Sequence, residues 1–180
     1  MRYIVLMLLF IFVDCKNETK TESTIHKSVY EMWSNFKTVN PEFKKDELPD
    51  SWYFHNNKED ANRLANLTVT GKKKASSGLY LWYKEANANL QKVGTKHIIT
   101  NFSGEAQAII KITKVDTIPF HLISNDYAAL DMGTKIEPLK KWKKAHWAFF
   151  ANATQESGEK PTERMLIVCE RFETIWVKEN

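Results

Sequence analysis

Cysteine is nearly absent from this 180-residue chain, which has only Cys15 and Cys169. A disulfide scaffold and a cysteine-built metal site are therefore excluded. Histidine is also scarce, with five residues at positions 26, 55, 97, 121 and 146, and none falls at HExxH or another ligand spacing. No metal and no cofactor is expected. Six glycines and five prolines are too few for a low-complexity or collagen-like chain. Charge of one sign is missing too: 26 basic against 22 acidic residues leave +4, far from a protein that coats DNA. Any contact with nucleic acid has to come from a local patch. What the chain has in quantity is aromatic: 6 Trp, 6 Tyr and 10 Phe, within 43% hydrophobic residues, imply one domain around a packed core.

The one long apolar run, residues 3–13 (YIVLMLLFIFV), follows Met1 and Arg2 and stops at Asp14 and Cys15. It is too short for a spanning helix, which needs about 20 residues, and suits a signal-peptide core better than a buried terminal strand. Residues 1–14 are thus expected to be a signal peptide. Resemblance to bacterial lipoproteins implies cleavage before Cys15 and lipid on that residue, although Asp14 stands where a small residue is usual. Residues 15–24 would be the lipidated cysteine and a polar tether, since 16–24 (KNETKTEST) holds no aliphatic or aromatic side chain. The expected location is extracytoplasmic, on a membrane through a lipid anchor. Cys169 would then be the only free thiol, buried in the apolar run 165–169.

From Ile25 the pattern becomes helical. Val29, Met32, Trp33, Phe36 and Val39 share one face, and Asn40-Pro41 stops the helix, so residues 25–50 form an amino-terminal helical segment packed on the domain. A second helix is predicted over 58–70, capped by Asn57 and closed by Gly71, with Ala61, Leu64 and Leu67 inward. Residues 96–101 and 106–115 read as strands of a hairpin around Phe102-Ser103-Gly104-Glu105. Residues 139–152 place Leu139, Trp142, His146, Phe149 and Phe150 on one helical face, with Lys140, Lys141, Lys143 and Lys144 largely outside it. Residues 164–177 supply one or two closing strands. Helices around antiparallel strands predict an α+β fold, most simply a small β-barrel flanked by helices.

Residues 51–180 resemble the ASCH domain. The matching pieces are Ser51-Trp52-Tyr53-Phe54, Leu64 and Leu67 before the 71–76 segment (GKKKAS), Leu81-Trp82-Tyr83 with Glu85, Val93-Gly94, Ile118-Pro119-Phe120, residues 142–150 (WKKAHWAFF) and Val168-Cys169-Glu170-Arg171-Phe172. Each is weak alone, and their order and spacing carry the resemblance. It implies a PUA-like β-barrel with a cleft beside it, and family relatives that are amide hydrolases on N4-acylated cytosine compounds or ribonucleases.

The resemblance also implies site residues. Its G-x-K-x-x-T/S pattern falls on Gly71, Lys73 and Ser76, an amine base and a hydroxyl nucleophile, in what reads as a loop of three lysines. Lys72 and Lys74 would depress the basicity of Lys73 by repulsion, and would also contact a ligand. The family's acidic, glycine-containing stretch is replaced by residues 130–137 (LDMGTKIE), leaving Asp131 or Glu137 as the orienting carboxylate. Trp52 and Tyr83, with Tyr53 and Trp82, flank the lysines in sequence and suit stacking on a base. Three functions stay open: a module binding RNA, nucleotides or modified nucleosides, a hydrolase using Lys73, Ser76 and Asp131, or a surface protein that reuses the fold. The sequence points to no protein partner.

Overall fold

The computed structural model describes residues 25–177. The signal peptide, Cys15 and the tether therefore lie outside the described residues. Among the described residues five strands form one sheet in the order β1-β3-β4-β5-β2, where β1 is Ser51–Trp52, β2 Ala75–Leu79, β3 Lys96–Thr100, β4 Ala106–Pro119 and β5 Leu166–Val177. Only β1 runs parallel to its neighbour β3; the other pairs are antiparallel. Among the described residues five α-helices accompany the sheet: α1 Lys27–Val39, α2 Lys58–Val69, α3 Tyr80–Glu85, α4 Asn125–Met132 and α5 Pro138–Glu156. The α+β fold read from the sequence is the observed one, and none of the described helices is long and apolar enough to cross a membrane.

Strands β4 and β5 are the spine. They pair from Ala108↔Val177 to Pro119↔Leu166, with register breaks after Ile109 and Ile112. Such breaks sharpen the local bend of a strand. The sheet curls until its outer strands approach: Trp52 of β1 and Ser76, Ser77 and Gly78 of β2 line the same cleft. The result is a barrel-like sheet with a seam between β1 and β2.

Alternation along β3 and β4 explains the helix placement. Ile98 and Ile109 pack with Val29, Trp33 and Phe36 of α1, while their chain neighbours Ile99 and Ile110 pack with Phe54, Ala65 and Phe172. Adjacent strand residues point to opposite faces, so this half of the sheet is buried on both sides. A third cluster, around Phe120, Tyr127, Trp142, Phe150 and Cys169, fills the space between α4, α5 and the β2–β5 edge.

The helix ends follow the chemistry expected of them. His26 Nδ1 accepts from Ser28 N at 3.3 Å to open α1, and Asn40 Nδ2 donates to Phe36 O at 2.8 Å at its close. Val39 is exposed and is not part of the inward face. Asn57 Oδ1 accepts from Asp60 N at 2.9 Å at the start of α2, and Gly71, at φ 66°, makes the left-handed exit.

Candidate functional site

That exit sets the site. Gly71 turns the chain so that the N–H groups of Lys72 and Lys73 both reach Leu67 O, at 2.8 and 2.9 Å. Lys74 N then donates to Leu130 O at 2.8 Å, and Phe172 N donates to Lys74 O at 2.9 Å. The three lysines are consequently held between α4 and β5. Lys72 and Lys74 face solvent, and Lys73 is 3% exposed. Lys73, read from the sequence as the lysine that enters the cleft, is thus a buried lysine between two exposed ones.

Helix α4 brings the partner. Its last turn ends at Gly133, φ 63°, where an added Cβ would lie 3.3 Å from Leu67 and 3.4 Å from the Lys72 backbone. This close approach puts Asp131, 2% exposed, against Lys73. Lys73 Nζ donates to Asp131 Oδ1 and, at 2.9 Å, to Asp131 O. Oδ2 accepts from Ser77 Oγ at 2.6 Å and from Trp142 Nε1 at 2.8 Å. Burial pushes the Asp131 carboxyl up, but the positive charge of Lys73 and the hydrogen bonds from Lys73 and Ser77 outweigh it and hold it below the usual carboxylate range. Glu137, the other carboxylate expected near the lysine, sits in an exposed left-handed turn and pairs with Lys140 at 2.8 Å.

Ser77 was not among the residues singled out from the sequence. It lies on the same face of β2 as Ala75 and Leu79, turned to α4 and α5, where Tyr127 Oη also lies 3.0 Å from its hydroxyl. Ser76 is one residue out of phase. Its carbonyl accepts from Tyr127 Oη at 2.6 Å, and its hydroxyl has no hydrogen-bond partner among the described residues. The hydroxyl attached to the Lys73–Asp131 pair is that of Ser77, with Ser76 beside it.

His146 is a second residue without an assigned role in the sequence reading, although its place on the inward face of α5 was legible. Its Nδ1 is 3.0 Å from Trp142 O, a carbonyl that only accepts, so Nδ1 carries the hydrogen. Burial lowers the imidazole's affinity for a proton more than Asp131 raises it. Neutral His146 therefore presents a lone pair at Nε2, 3.4 Å from Asp131 Oδ2. The pocket over this group, about 200 Å³, is lined by Lys73, Ser77, Asp131 and His146 with Phe54 and Phe149. Lys73 Nζ also lies 4.8 Å from the centre of the Phe54 ring.

Trp52 and Tyr83 are not in this pocket. Together with Trp82 and Glu170 they line the neighbouring cleft of about 370 Å³ at the β1–β2 seam, and Ser76 and Ser77 belong to both linings. Tyr53 is exposed and packs at a tilt against Phe102, 5.2 Å between ring centres. The single lysine-and-aromatic site expected from the sequence is two adjoining cavities separated by one strand, with Lys72 and Lys74 in the lining of neither. Among the described residues no group of three His, Cys, Asp or Glu side chains could hold a metal ion.

Known proteins share this fold. The ASCH domain family profile matches residues 50–176. A crystal structure of an ASCH domain from Lactobacillus crispatus JV V101 is similar at 28% identity and a TM-score of 0.77, covering 86% of this chain and 98% of that one. A protein of Enterococcus faecalis V583 is similar at 31% identity and a TM-score of 0.74, covering 84% of this chain and 90% of the other. No curated protein matches the chain.

Proposed function

Because the chain belongs to the ASCH domain family, a PUA-like fold often associated with RNA binding, we propose that it binds a nucleotide or modified nucleoside, free or within single-stranded RNA. The observation that carries this reading is the buried Lys73–Asp131 pair at the floor of an open pocket. Replacing a buried ion pair by apolar side chains is often neutral or stabilising, so the fold itself has little use for one. Lys73 spends two of its three N–H groups on Asp131, leaving one for a ligand oxygen, and Phe54 and Phe149 offer flat walls. Calorimetric titration of the purified protein with cytidine, cytidine monophosphate and a short single-stranded RNA tests it. Lys73→Met is expected to abolish binding, and Lys72→Ala with Lys74→Ala to weaken it far less. Equal losses, or no binding of any of the three at low salt, would sink the reading.

One observation favours a second reading, amide hydrolysis. Ser77 is hydrogen-bonded to Asp131 beside an ammonium and a neutral imidazole, the parts needed to activate a hydroxyl and to protonate a leaving amine. On an N4-acylated cytidine, the Ser77 oxygen would add to the acyl carbon and the protonated amine would depart. Water would then release the acyl group. Ser77→Ala would abolish turnover while Ser76→Ala would not; the reverse result would return the nucleophile to Ser76.

The membrane anchor is the remaining part of the proposal, supported by the apolar run before Cys15 and the polar stretch behind it. Cys15→Ser is expected to shift the protein from the detergent phase to the aqueous phase or to leave it uncleaved. Wild-type protein without lipid on Cys15 would overturn the anchor and the extracytoplasmic location with it.

A further inference from the structure

Helix α5 buries Trp142 and Phe150 completely, and on its outer side Lys140, Lys143, Lys144 and Trp147 recur at the three- and four-residue steps of a single stripe. Trp147 is 36% exposed. It meets Phe120 edge-on at 5.4 Å, beside the turn Phe120–Leu122 that follows β4, where Leu122 is 61% exposed. Between Asp131 and Glu156 the chain holds five lysines, at 135, 140, 141, 143 and 144, against the single carboxylate of Glu137. That surplus equals the +4 of the whole chain, so the remainder is balanced. Among the described residues Lys140 alone of the five is ion-paired, with Glu137. These lysines do not serve the helix. The first turn of α2 carries Glu59 and Asp60, as the helix dipole favours, whereas that of α5 has no acidic residue and Glu137 makes no side-chain cap. Positive charge in the first turns of α5 opposes the dipole, and like charges at these steps repel one another, so the stripe weakens the helix that carries it.

We propose that this stripe docks the domain on an anionic lipid surface, with the lysines on headgroup phosphates and Trp147 and Leu122 in the interfacial layer. Lysine stems cover apolar surface while their charged ends stay in the polar layer, and a tryptophan ring suits the boundary between headgroups and acyl chains. Leu122 has no flat face to stack on a base and fits that boundary better than it fits RNA. The choice of lipid rests also on the anchor reading. Residues 16–24, fully extended, reach at most about 30 Å, which holds the domain close to the membrane. A weak surface contact then acts at the roughly millimolar effective concentration of a tethered partner. Ala145, His146 and Phe149 of the same helix line the Lys73 pocket, and no residue of the stripe does, so docking leaves that lining untouched.

Sedimentation of the full chain with phosphatidylcholine vesicles, with and without phosphatidylglycerol, tests the stripe. The readout is the preference for the anionic vesicles, because a lipid on Cys15 or an uncleaved apolar run would bind both kinds. Wild type and Cys15→Ser are both expected to show that preference. Lys143→Gln with Lys144→Gln should cut it about 25-fold, from about five-fold per lysine near such a surface, and added salt should weaken it in wild type. Glutamine is as good a helix former as lysine, so the variant keeps its fold. Brominated lipid should quench tryptophan fluorescence in wild type and much less in Trp147→Phe, which keeps an aromatic ring against Phe120. No preference, a preference that survives the two glutamines, or quenching unchanged in Trp147→Phe overturns the proposal. A loss of affinity for single-stranded RNA in the double variant, without any vesicle preference in wild type, would make the stripe a nucleic-acid contact instead. Wild type that carries no lipid yet prefers anionic vesicles through Lys143 and Lys144 removes the anchor and leaves the stripe standing.

Discussion

At the scale of single residues, the Lys73–Asp131 pair decides how any substitution in the site is to be read. Both side chains are buried, so removing one leaves an uncompensated charge or forces it to neutralise. Asp131→Ala is expected to cost about 3–5 kcal/mol in urea unfolding. The double variant Lys73→Met with Asp131→Leu should recover much of that loss while still failing to bind ligand. A double variant no more stable than Asp131→Ala would contradict the pairing. Proton linkage gives a second test. Asp131 and His146 both sit below their ordinary values of 3.8 and 6.5, so the unfolded chain takes up protons first as pH falls. The His146 contribution is complete above 6.5 and is lost as pH falls through its folded value; that of Asp131 is complete above 3.8 and is lost below it. Glu170 works in the opposite sense, since its raised carboxyl favours folding below 4.5 and loses that advantage as pH rises through its folded value. Melting temperature is expected to fall from pH 7 to pH 5, with a flatter profile in His146→Gln. An unchanged profile in that variant would show that His146 is not the group responsible.

At the scale of elements, long periodic segments were readable and short or atypical ones were not. Val39 and Phe149 apart, both of them exposed, the inward face of α1, the cap and exit of α2, the β3–β4 hairpin and the Trp142 face of α5 follow from spacing alone. Strand β2 did not, because residues 71–78 (GKKKASSG) have the composition of a loop and form a strand only by pairing with β5. A loop has no parity, so nothing in it separated Ser76 from Ser77; a strand does, and one step reverses the face. Helix α4 is eight residues long with no clear polar face, which hid the element that carries Asp131. Its closing glycine is a sensitive joint. Gly133→Ala combines a left-handed backbone with contacts at 3.3–3.4 Å and should cost about 1–2 kcal/mol or more, measured as a drop in melting temperature. Helix α1 offers a comparable test on the opposite face. Phe36 is 2% exposed and stacks on Trp33 at 5.3 Å and Phe43 at 5.4 Å, so Phe36→Ala is expected to destabilise by about 3–5 kcal/mol without altering the site. Lost ligand affinity in a folded Phe36→Ala protein would argue that α1 does more than cover the sheet.

At the scale of the whole molecule, the family resemblance legible in scattered motifs corresponds to a fold whose solved neighbour covers more of this chain than residues 50–176 alone supply. Part of the segment ahead of residue 50, which includes α1, therefore belongs to the shared architecture. Net charge of +4 with one buried lysine in the pocket implies few displaced counterions. RNA binding is expected to show a shallow salt dependence, about one to two units of log affinity per log salt; a slope several-fold steeper would point to the exposed lysines of α5 instead. Which cavity holds which group could not be foreseen, because the seam that separates Trp52 and Tyr83 from Lys73 is a product of sheet curvature rather than of any local motif. That seam has a thermodynamic corollary. Ser76 and Ser77 form a party wall one backbone thick, so an occupant that shifts β2 on one side changes the shape offered on the other. The two cavities are then linked, and whatever factor a ligand in the first applies to affinity in the second must be returned in equal measure.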